Sequence, residues 1–355
     1  MNFPDTAALE TIVAGMIHNK HVHGAVFHVE NGKGDGTYVG AAGNMNPDQR
    51  YYLASVTKLL MSAVILHLRE NNQLGLDDPI HPFFPVDMLQ GLHVFKGVEY
   101  TNQITIRHLL SNTSGIPDYF SQKSASGEAT ASRLMAGEDQ PWSLEKSLEM
   151  VKGMSPRFIP GHPGKVQYSD TNYQLLGYIV EQVTGKPLAA VFQEILFDPM
   201  GLFNTYAYQD IRDESPMPLY FQQKQIHLPR YMASITAEGG VVSTAQESMQ
   251  LLKAFFLGRF FDAGTIEELK QWRLIYSPGQ FYFGLGLEKL WMPRILTPLK
   301  PLGEVLGFWG QSGAFAFHHP ETDLYFTGTV NQLSGRGHSA AFRAMYKTIR
   351  ILQSS

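Results

Sequence analysis

Leu59-Leu60-Met61-Ser62-Ala63-Val64-Ile65-Leu66 is a run of apolar and small residues, and the tetrad Ser55-Val56-Thr57-Lys58 stands directly before it. A helix that is apolar all round belongs inside a large core, so this run restricts the chain to folds that wrap a central helix. Within such a helix Ser55 and Lys58 share one face, a single turn apart. Ser55 then sits at the N-terminus, where free N–H groups and the helix dipole favour developing negative charge. A serine hydroxyl needs a base within hydrogen-bond reach to act as a nucleophile. A lysine drawn into an apolar core gives up its proton more readily and can serve as that base. The ordinary alternative is an N-capping serine followed by a lysine that snorkels to solvent.

A second S-x-x-K tetrad, Ser143-Leu144-Glu145-Lys146, comes after Pro141-Trp142 and opens a segment in which Leu148, Met150 and Val151 alternate with charges. That pattern predicts a surface helix capped by Ser143, with Lys146 in water and protonated. The two tetrads are alike in themselves; the apolar run after one and the charged segment after the other set them apart.

The 355 residues are 44% hydrophobic and 17% charged, enough for one large domain or two intimate ones. A net charge of −4 leaves no footprint for nucleic acid or an anionic membrane surface. No stretch approaches the ~18 apolar residues of a membrane span. The first residues lack a basic and apolar leader, and Leu9, Ile12, Val13, Met16 and Ile17 repeat as one helix face, so a cytoplasmic location is expected. With no cysteine, thiolate catalysis, thiolate-bound metal and disulfides are excluded.

Ala25 to Glu30 and Thr37 to Ala42 flank a glycine-rich turn and predict a β-hairpin; the turn joins two strands, which disfavours a phosphate-binding loop. The buried helix is expected to run from Ser55 to about Glu70. Residues 77 to about 205 read as helices and loops, among them a helix over Asn172 to Val183 ended by Gly185, with Pro187 opening the next. Later come a helix near Ala245 to Leu257, strands around Phe281 to Leu287, Phe308 to Phe317 and Leu324 to Val330, and a closing helix bearing Phe342, Met345, Ile349 and Leu352. The expected architecture is α/β: an antiparallel sheet flanked by terminal and inner helices, built from residues 1–76 and 216–355. A mostly helical domain, residues 77–215, is inserted, and the active site is expected between the two.

Tyr168-Ser169-Asp170 precedes the 172–183 helix, where a tyrosine can relay protons and Asp170 can serve simply as an N-cap. Tyr100-Thr101-Asn102 matches a similar pattern but has no buried helix after it. Trp309-Gly310-Gln311-Ser312-Gly313-Ala314-Phe315-Ala316-Phe317 predicts a strand with a close-approach glycine and backbone N–H groups able to face an oxyanion.

In order and spacing, S-x-x-K, Y-x-(N/D) and a glycine-terminated strand motif resemble the penicillin-recognising serine hydrolases. The likeness is to the branch of class C β-lactamases, serine D-Ala-D-Ala carboxypeptidases and family VIII esterases, whose β-lactamase/transpeptidase-like fold it implies. Tyr51 to Lys58, Leu74 to Pro79, His108 to Pro117, Pro160-Gly161, Tyr168 to Gly177, Pro199 to Leu202 and Gly239 to Thr244 extend the likeness over nearly the whole chain. The resemblance implies Ser55 as the acylated nucleophile, Lys58 as its base and Tyr168 as the proton shuttle. It also implies an oxyanion hole from the backbone N–H groups of Ser55 and Ala314, with Asp170, Gln311, Ser312 and Gly313 supporting or binding substrate. No metal or other cofactor is implied.

Two departures bear on chemistry. Asp170 replaces the asparagine of the β-lactamase pattern; holding Lys58 charged, it would make Tyr168 the acylation base. Gln311 replaces the lysine or histidine that helps receive a substrate carboxylate. A neutral amide forfeits the charge-assisted bond, which weakens carboxylated substrates about tenfold or more and costs neutral esters nothing. Arg336 is a candidate to restore a positive charge. Phe281-Tyr282-Phe283, Leu290-Trp291-Met292 and Phe308-Trp309 are candidate walls of an apolar pocket, or core. His21-Val22-His23 lacks further ligands at suggestive spacing for a metal, and His318-His319 marks an exposed strand end. The expected activity is ester hydrolysis on small or medium neutral acyl groups. Hydrolysis of β-lactams or D-amino-acid peptides, and penicillin binding or assembly without turnover, are the alternatives. The partner is then a small ester or amide; oligomeric state is left open.

Overall fold

The computed structural model describes residues 6–123, 127–276, 281–291, 302–333 and 335–354. Its centre is an eight-stranded sheet: β1 (Gly24–Asn31), β2 (Thr37–Gly43), β3 (Arg273–Tyr276), β4 (Phe281–Phe283), β5 (Glu288–Trp291), β6 (Glu304–Trp309), β7 (Ala314–His319) and β8 (Leu324–Thr329). The spatial order is β3-β4-β5-β6-β7-β8-β1-β2, and every pairing is antiparallel. Strand β1 thus closes against β8 from the far end of the sequence, Val26 facing Thr329, so the two ends of the chain make one sheet.

Period-two alternation gives each face its cover. Ala25, Phe27 and Val29 of β1 and Phe315 and Phe317 of β7 join one cluster with Leu9, Ile12, Val13 and Met16 of α1 (Thr6–Met16) and Met345 and Ile349 of α5 (Gly335–Ser354). Val26, Ala314 and Ala316 point the other way, into the larger cluster. That cluster contains α2 (Thr57–Glu70), α3 (Asp170–Thr184) and α4 (Ala245–Phe256). Each large apolar chain so enclosed contributes roughly 1.5–3 kcal/mol. Small Ala314 and Ala316 leave room for the turn Ala54–Val56 and the start of α2 to lie against β7.

The predicted run is a buried helix: Thr57 through Leu66 are all inside. Its start differs from expectation, since Ser55 belongs to the 3₁₀ turn Ala54–Val56 that precedes α2. The stretch between Asp77 and Thr205 is largely helix and loop, but Tyr206–Ala207 pairs with Val241–Ser243, which also pairs with Tyr51–Tyr52. This small sheet ties the helical stretch to the strand entering the Ser55 turn.

The expected strand over Phe308 to Phe317 is two strands. Trp309 pairs with Phe315 across a turn in which Gly313 has φ +90°, a conformation that glycine adopts without steric cost. Gln311 and Ser312 therefore lie in a hairpin turn. His318 and His319 do not form an exposed end either. His319 is buried between Thr322 Oγ1 and the Leu302 carbonyl, and His318 stacks on Tyr325. His23 packs on Tyr220 and meets the Gln222 carbonyl at 3.1 Å. Among the described residues no group of His, Asp and Glu has a metal-binding arrangement, and no helix is long and apolar enough to cross a membrane.

Candidate active site

Ser55 is partly exposed on a turn whose preceding residue, Ala54, has φ +46°, an uncommon conformation for a residue with a side chain. Gly310 backs this turn: a Cβ there would lie 2.2 Å from the Leu53 carbonyl oxygen. Lys58 is fully buried and its Nζ meets three acceptors, Asp170 Oδ1 at 2.6 Å, the Glu238 carbonyl at 2.7 Å and Ser55 Oγ at 3.0 Å. The contacts to Glu238 and Ser55 are hydrogen bonds, and the one to Asp170 is an ion pair. The Tyr168 and Tyr173 rings lie 5.2 and 5.4 Å from Nζ and wall it from water.

The loop that delivers Tyr168 and Asp170 is clamped by residues 112–118. Asn112, itself at φ +56°, accepts from Gln167 N–H through its carbonyl and from Ser169 N–H and Asn172 Nδ2 through Oδ1. Ser169 and Thr171 hydroxyls both donate to the Pro117 carbonyl. Asp170 is not an N-cap. Ser169 holds that position, the Asp170 N–H is received by Asp118 Oδ1 at 2.9 Å, and the Asp170 carboxylate pairs with Lys58.

A cavity of about 590 Å³ opens over Ser55, Tyr168 and Asp170, with Gln311 and Ser312 on its wall. Four carboxyl side chains line it: Asp118, Asp170, Glu238 and Glu288. Burial, reinforced by the Asp170 charge, pushes Asp118 up to about 6 and Glu238 up to about 8. Burial likewise pushes Glu288 up to about 8, against a bond from Trp309 N–H. The Tyr168 phenol is pushed well above its usual value, first by burial and then by Asp170 and Glu288; its contact with Ser55 opposes this.

In the third motif, Gln311 Nε2 donates to the Leu333 carbonyl at 2.9 Å, and Ser312 Oγ donates to the Tyr52 carbonyl at 2.7 Å. Ala314 is buried and its N–H faces Ser312 Oγ at 3.4 Å, a long contact. Gly313 sets the turn between them. The Arg336 side chain and Met292 lie outside the described residues. Of the expected aromatic walls, Phe281 and Trp309 line the cavity, whereas Phe283 and Phe308 are core. Most of the apolar lining comes from elsewhere, including Leu134, Met135, Leu219, Leu228, Met232 and Ile235.

Sequence reasoning missed Asp118, Glu238 and Glu288. The first two had a signal: Asp118 stands directly after Ile116-Pro117, and Glu238 directly before Gly239-Gly240, each at the edge of a family-like motif. Glu288 had none. At the second tetrad the expected cap is present, with Ser143 Oγ accepting Lys146 N–H.

Residues 9–348 match the family model described as Beta-lactamase. The chain belongs to this family. Its ordered motifs are those of the penicillin-recognising serine hydrolases. The chain is 31% identical to Esterase EstB of Burkholderia gladioli over 159 residues, 44% of the chain and 38% of EstB. It is 24% identical to the D-alanyl-D-alanine-carboxypeptidase/endopeptidase AmpH of Escherichia coli over 251 residues, 69% of the chain and 59% of AmpH. The chain thus spans between about a third and three fifths of these curated relatives. Among solved structures, D-amino acid amidase from Ochrobactrum anthropi superposes with a TM-score of 0.79 at 21% identity, covering 98% of each chain. At that identity the likeness shows the fold.

Proposed function

We propose that this Beta-lactamase family member is a serine hydrolase working through an acyl-Ser55 intermediate, and that its substrates are carboxylic esters of small or medium neutral acyl groups, without a carboxylate. Ser55 Oγ attacks the ester carbonyl, and its backbone N–H with that of Ala314 receives the oxyanion, the carbonyl oxygen displacing Ser312 Oγ from its long contact. The alcohol leaves with a proton, and water then releases the acid. Lys58 takes the Ser55 proton once it has handed one of its own to Asp170 Oδ1, 2.6 Å away. The raised Tyr168 value disfavours a resting phenolate and argues against Tyr168 as the acylation base. Tyr168 instead relays a proton between Ser55, the leaving group and incoming water. The division into a sheet domain of residues 1–76 and 216–355 and an inserted domain of residues 77–215, with the site between, is part of this proposal. Its support is that Ser55 comes from one and Tyr168 from the other.

The observation that carries the ester reading is Gln311. Where relatives place a cation, this chain has an amide already committed to Leu333, on the wall of a cavity that four carboxyl residues also line. EstB is an esterase by name, which agrees. One observation favours the second reading, hydrolysis of β-lactams or D-amino-acid peptides: Arg157 lines the cavity and offers a guanidinium to a carboxylate. Turnover of a p-nitrophenyl acyl ester series, a chromogenic cephalosporin and a D-Ala-D-Ala peptide on one preparation decides. The esters are expected to exceed the other two at least tenfold in kcat/KM. The reverse order overturns the ester reading, and a stoichiometric burst without turnover overturns catalysis.

A further inference from the structure

One side chain joins the loop that walls part of the cavity to the helix that carries Asp170. Asp118 is 1% exposed, and its two oxygens serve different segments. Oδ1 accepts the N–H of Asp170 at 2.9 Å and that of Phe120 at 3.3 Å. Oδ2 accepts the N–H of Ser121 at 2.9 Å and also the Ser121 hydroxyl. Asp170 is the first residue of α3, and Ser169, in the N-cap position, gives that helix no side-chain bond. The first N–H groups of a helix have no partner within it, and a carboxylate is favoured there by the helix dipole. Asp118 thus supplies from another segment the acceptor that the cap does not. Thr171 Oγ1 keys the same two segments together by accepting the Tyr119 N–H at 3.2 Å. Phe120 and Ser121 line the cavity, Phe120 stacked on Tyr231, another lining residue. On the other side Asp170 holds Lys58 Nζ, which meets Ser55 Oγ at 3.0 Å.

We infer that Asp118 is a positioning residue for acylation: through Oδ1 it fixes the Asp170 carboxylate on Lys58, and through Oδ2 it fixes the cavity wall at Phe120 and Ser121. This rests on the acyl-Ser55 reading and adds to it a residue that acts through two others. The two arms are separable because an amide has a single acceptor oxygen. In Asp118→Asn the Nδ2 group cannot face the Asp170 and Phe120 N–H groups, which only donate. It can face Ser121, whose hydroxyl turns to accept from it while the bond from Ser121 N–H is lost. The asparagine therefore keeps the arm to Asp170 and weakens the arm to the wall. Alanine removes both.

The test follows single-turnover release of p-nitrophenol from p-nitrophenyl butyrate, with protein in excess, for wild type, Asp118→Asn and Asp118→Ala. Protein is counted as serine labelled by a fluorophosphonate, so a loss of folded material cancels. The pH is held at about 8, above the value of about 6 to which burial and Asp170 push Asp118. Asp118→Asn is expected to keep the saturating acylation rate within about fivefold of wild type and to raise the half-saturating concentration about fivefold, the worth of one hydrogen bond. Asp118→Ala is expected to lower the acylation rate itself at least about twentyfold, since a misplacement of roughly 1 Å beside the chemistry can cost 10²-fold. An alanine variant within fivefold of the wild-type rate, or an asparagine variant that loses as much rate as the alanine one, overturns the inference and leaves the acyl-Ser55 reading standing. If Asp118→Ala does not fold, Asp118→Glu is read in its place. It keeps both acceptors but sets them one methylene further out, so its acylation rate is expected to fall at least about fivefold; an unchanged rate overturns the inference. A wild-type protein that neither releases p-nitrophenol nor takes the fluorophosphonate label overturns the acyl-Ser55 reading and this inference with it.

Discussion

Two S-x-x-K tetrads in one chain hold their serine and lysine at the same spacing and share almost nothing else. Lys58 is wholly buried and meets Asp170, the Glu238 carbonyl and Ser55. Lys146 lies on the surface side of a short helix, 3.8 Å over the Trp142 ring, with weak contacts to Gln140 and the Pro141 carbonyl. It is not simply in water: partial burial pulls its ammonium below the usual lysine value. What Lys146 lacks among the described residues is a carboxylate partner, and Ser143 Oγ accepts from the Lys146 backbone N–H instead of meeting its ammonium. Spacing puts a serine and a lysine within reach. Acceptors brought from remote parts of the chain decide what the pair can do.

The most severe way to break this contrast is to remove the two serines. Ser55→Ala is expected to abolish fluorophosphonate labelling and to lower ester turnover on the order of 10⁶-fold, as loss of the nucleophile does in subtilisin. Ser143→Ala is expected to leave both within twofold and to cost about 1 kcal/mol of stability through the lost cap. Labelling that persists without Ser55 would remove the distinction.

The lysines come next. Lys58→Ala, and Tyr168→Phe beside it, should each slow acylation roughly 10²–10⁴-fold in a folded protein, because each removes a positioned proton transfer. Lys146→Ala should change the acylation rate by less than twofold. Pre-steady-state release of p-nitrophenol measures all three, and equal effects at Lys58 and Lys146 would show that burial is not what matters.

Gln311→Lys sharpens the comparison from the substrate side by placing a lysine where the carboxylate of a cephalosporin would arrive. The ratio of cephalosporin to p-nitrophenyl butyrate kcat/KM is expected to rise about five- to thirtyfold, the worth of one charge-assisted bond beyond an amide. A flat or falling ratio in a folded variant would sink the carboxylate argument.

The smallest effect is on stability. Glu288 is pushed up to about 8 by burial, so its stabilising form is the protonated one. Its contribution is full below the ordinary glutamate value of 4.5 and is lost as pH rises toward 8. Glu288 by itself should therefore lower the Tm between about pH 5 and pH 8, against the buried histidines whose lowered values act the other way, and Glu288→Gln should remove that contribution, a few degrees across the range. An unchanged slope in the variant, measured by scanning calorimetry, would mean that Glu288 is not carrying a proton into the folded state.

Much was legible in the sequence because it rests on local pattern. The apolar run after Ser55 demanded a buried helix whatever enclosed it. The alternation in β1 and the helical spacing of Leu9, Ile12, Val13 and Met16 placed the terminal elements on one face of a sheet. The motifs, taken in order, named the Beta-lactamase family. Local pattern misled where a glycine broke it: Phe308 to Phe317 is apolar enough for one strand, but the Gly310–Gly313 turn folds it into two. Sequence by itself therefore determined the buried helix, the pairing of Ser55 with Lys58 at its start and the family. The tertiary structure alone decided that the Asp170 carboxylate faces Lys58 rather than capping α3: Ser169 holds the N-cap position, and Asp118, more than fifty residues earlier, holds the Asp170 backbone N–H and so fixes where that residue stands. It also decided that Asp118, Glu238 and Glu288 surround one cavity. No local pattern encodes that meeting, since carboxyls gathered from separate segments change one another's charge only once the core has excluded the water between them.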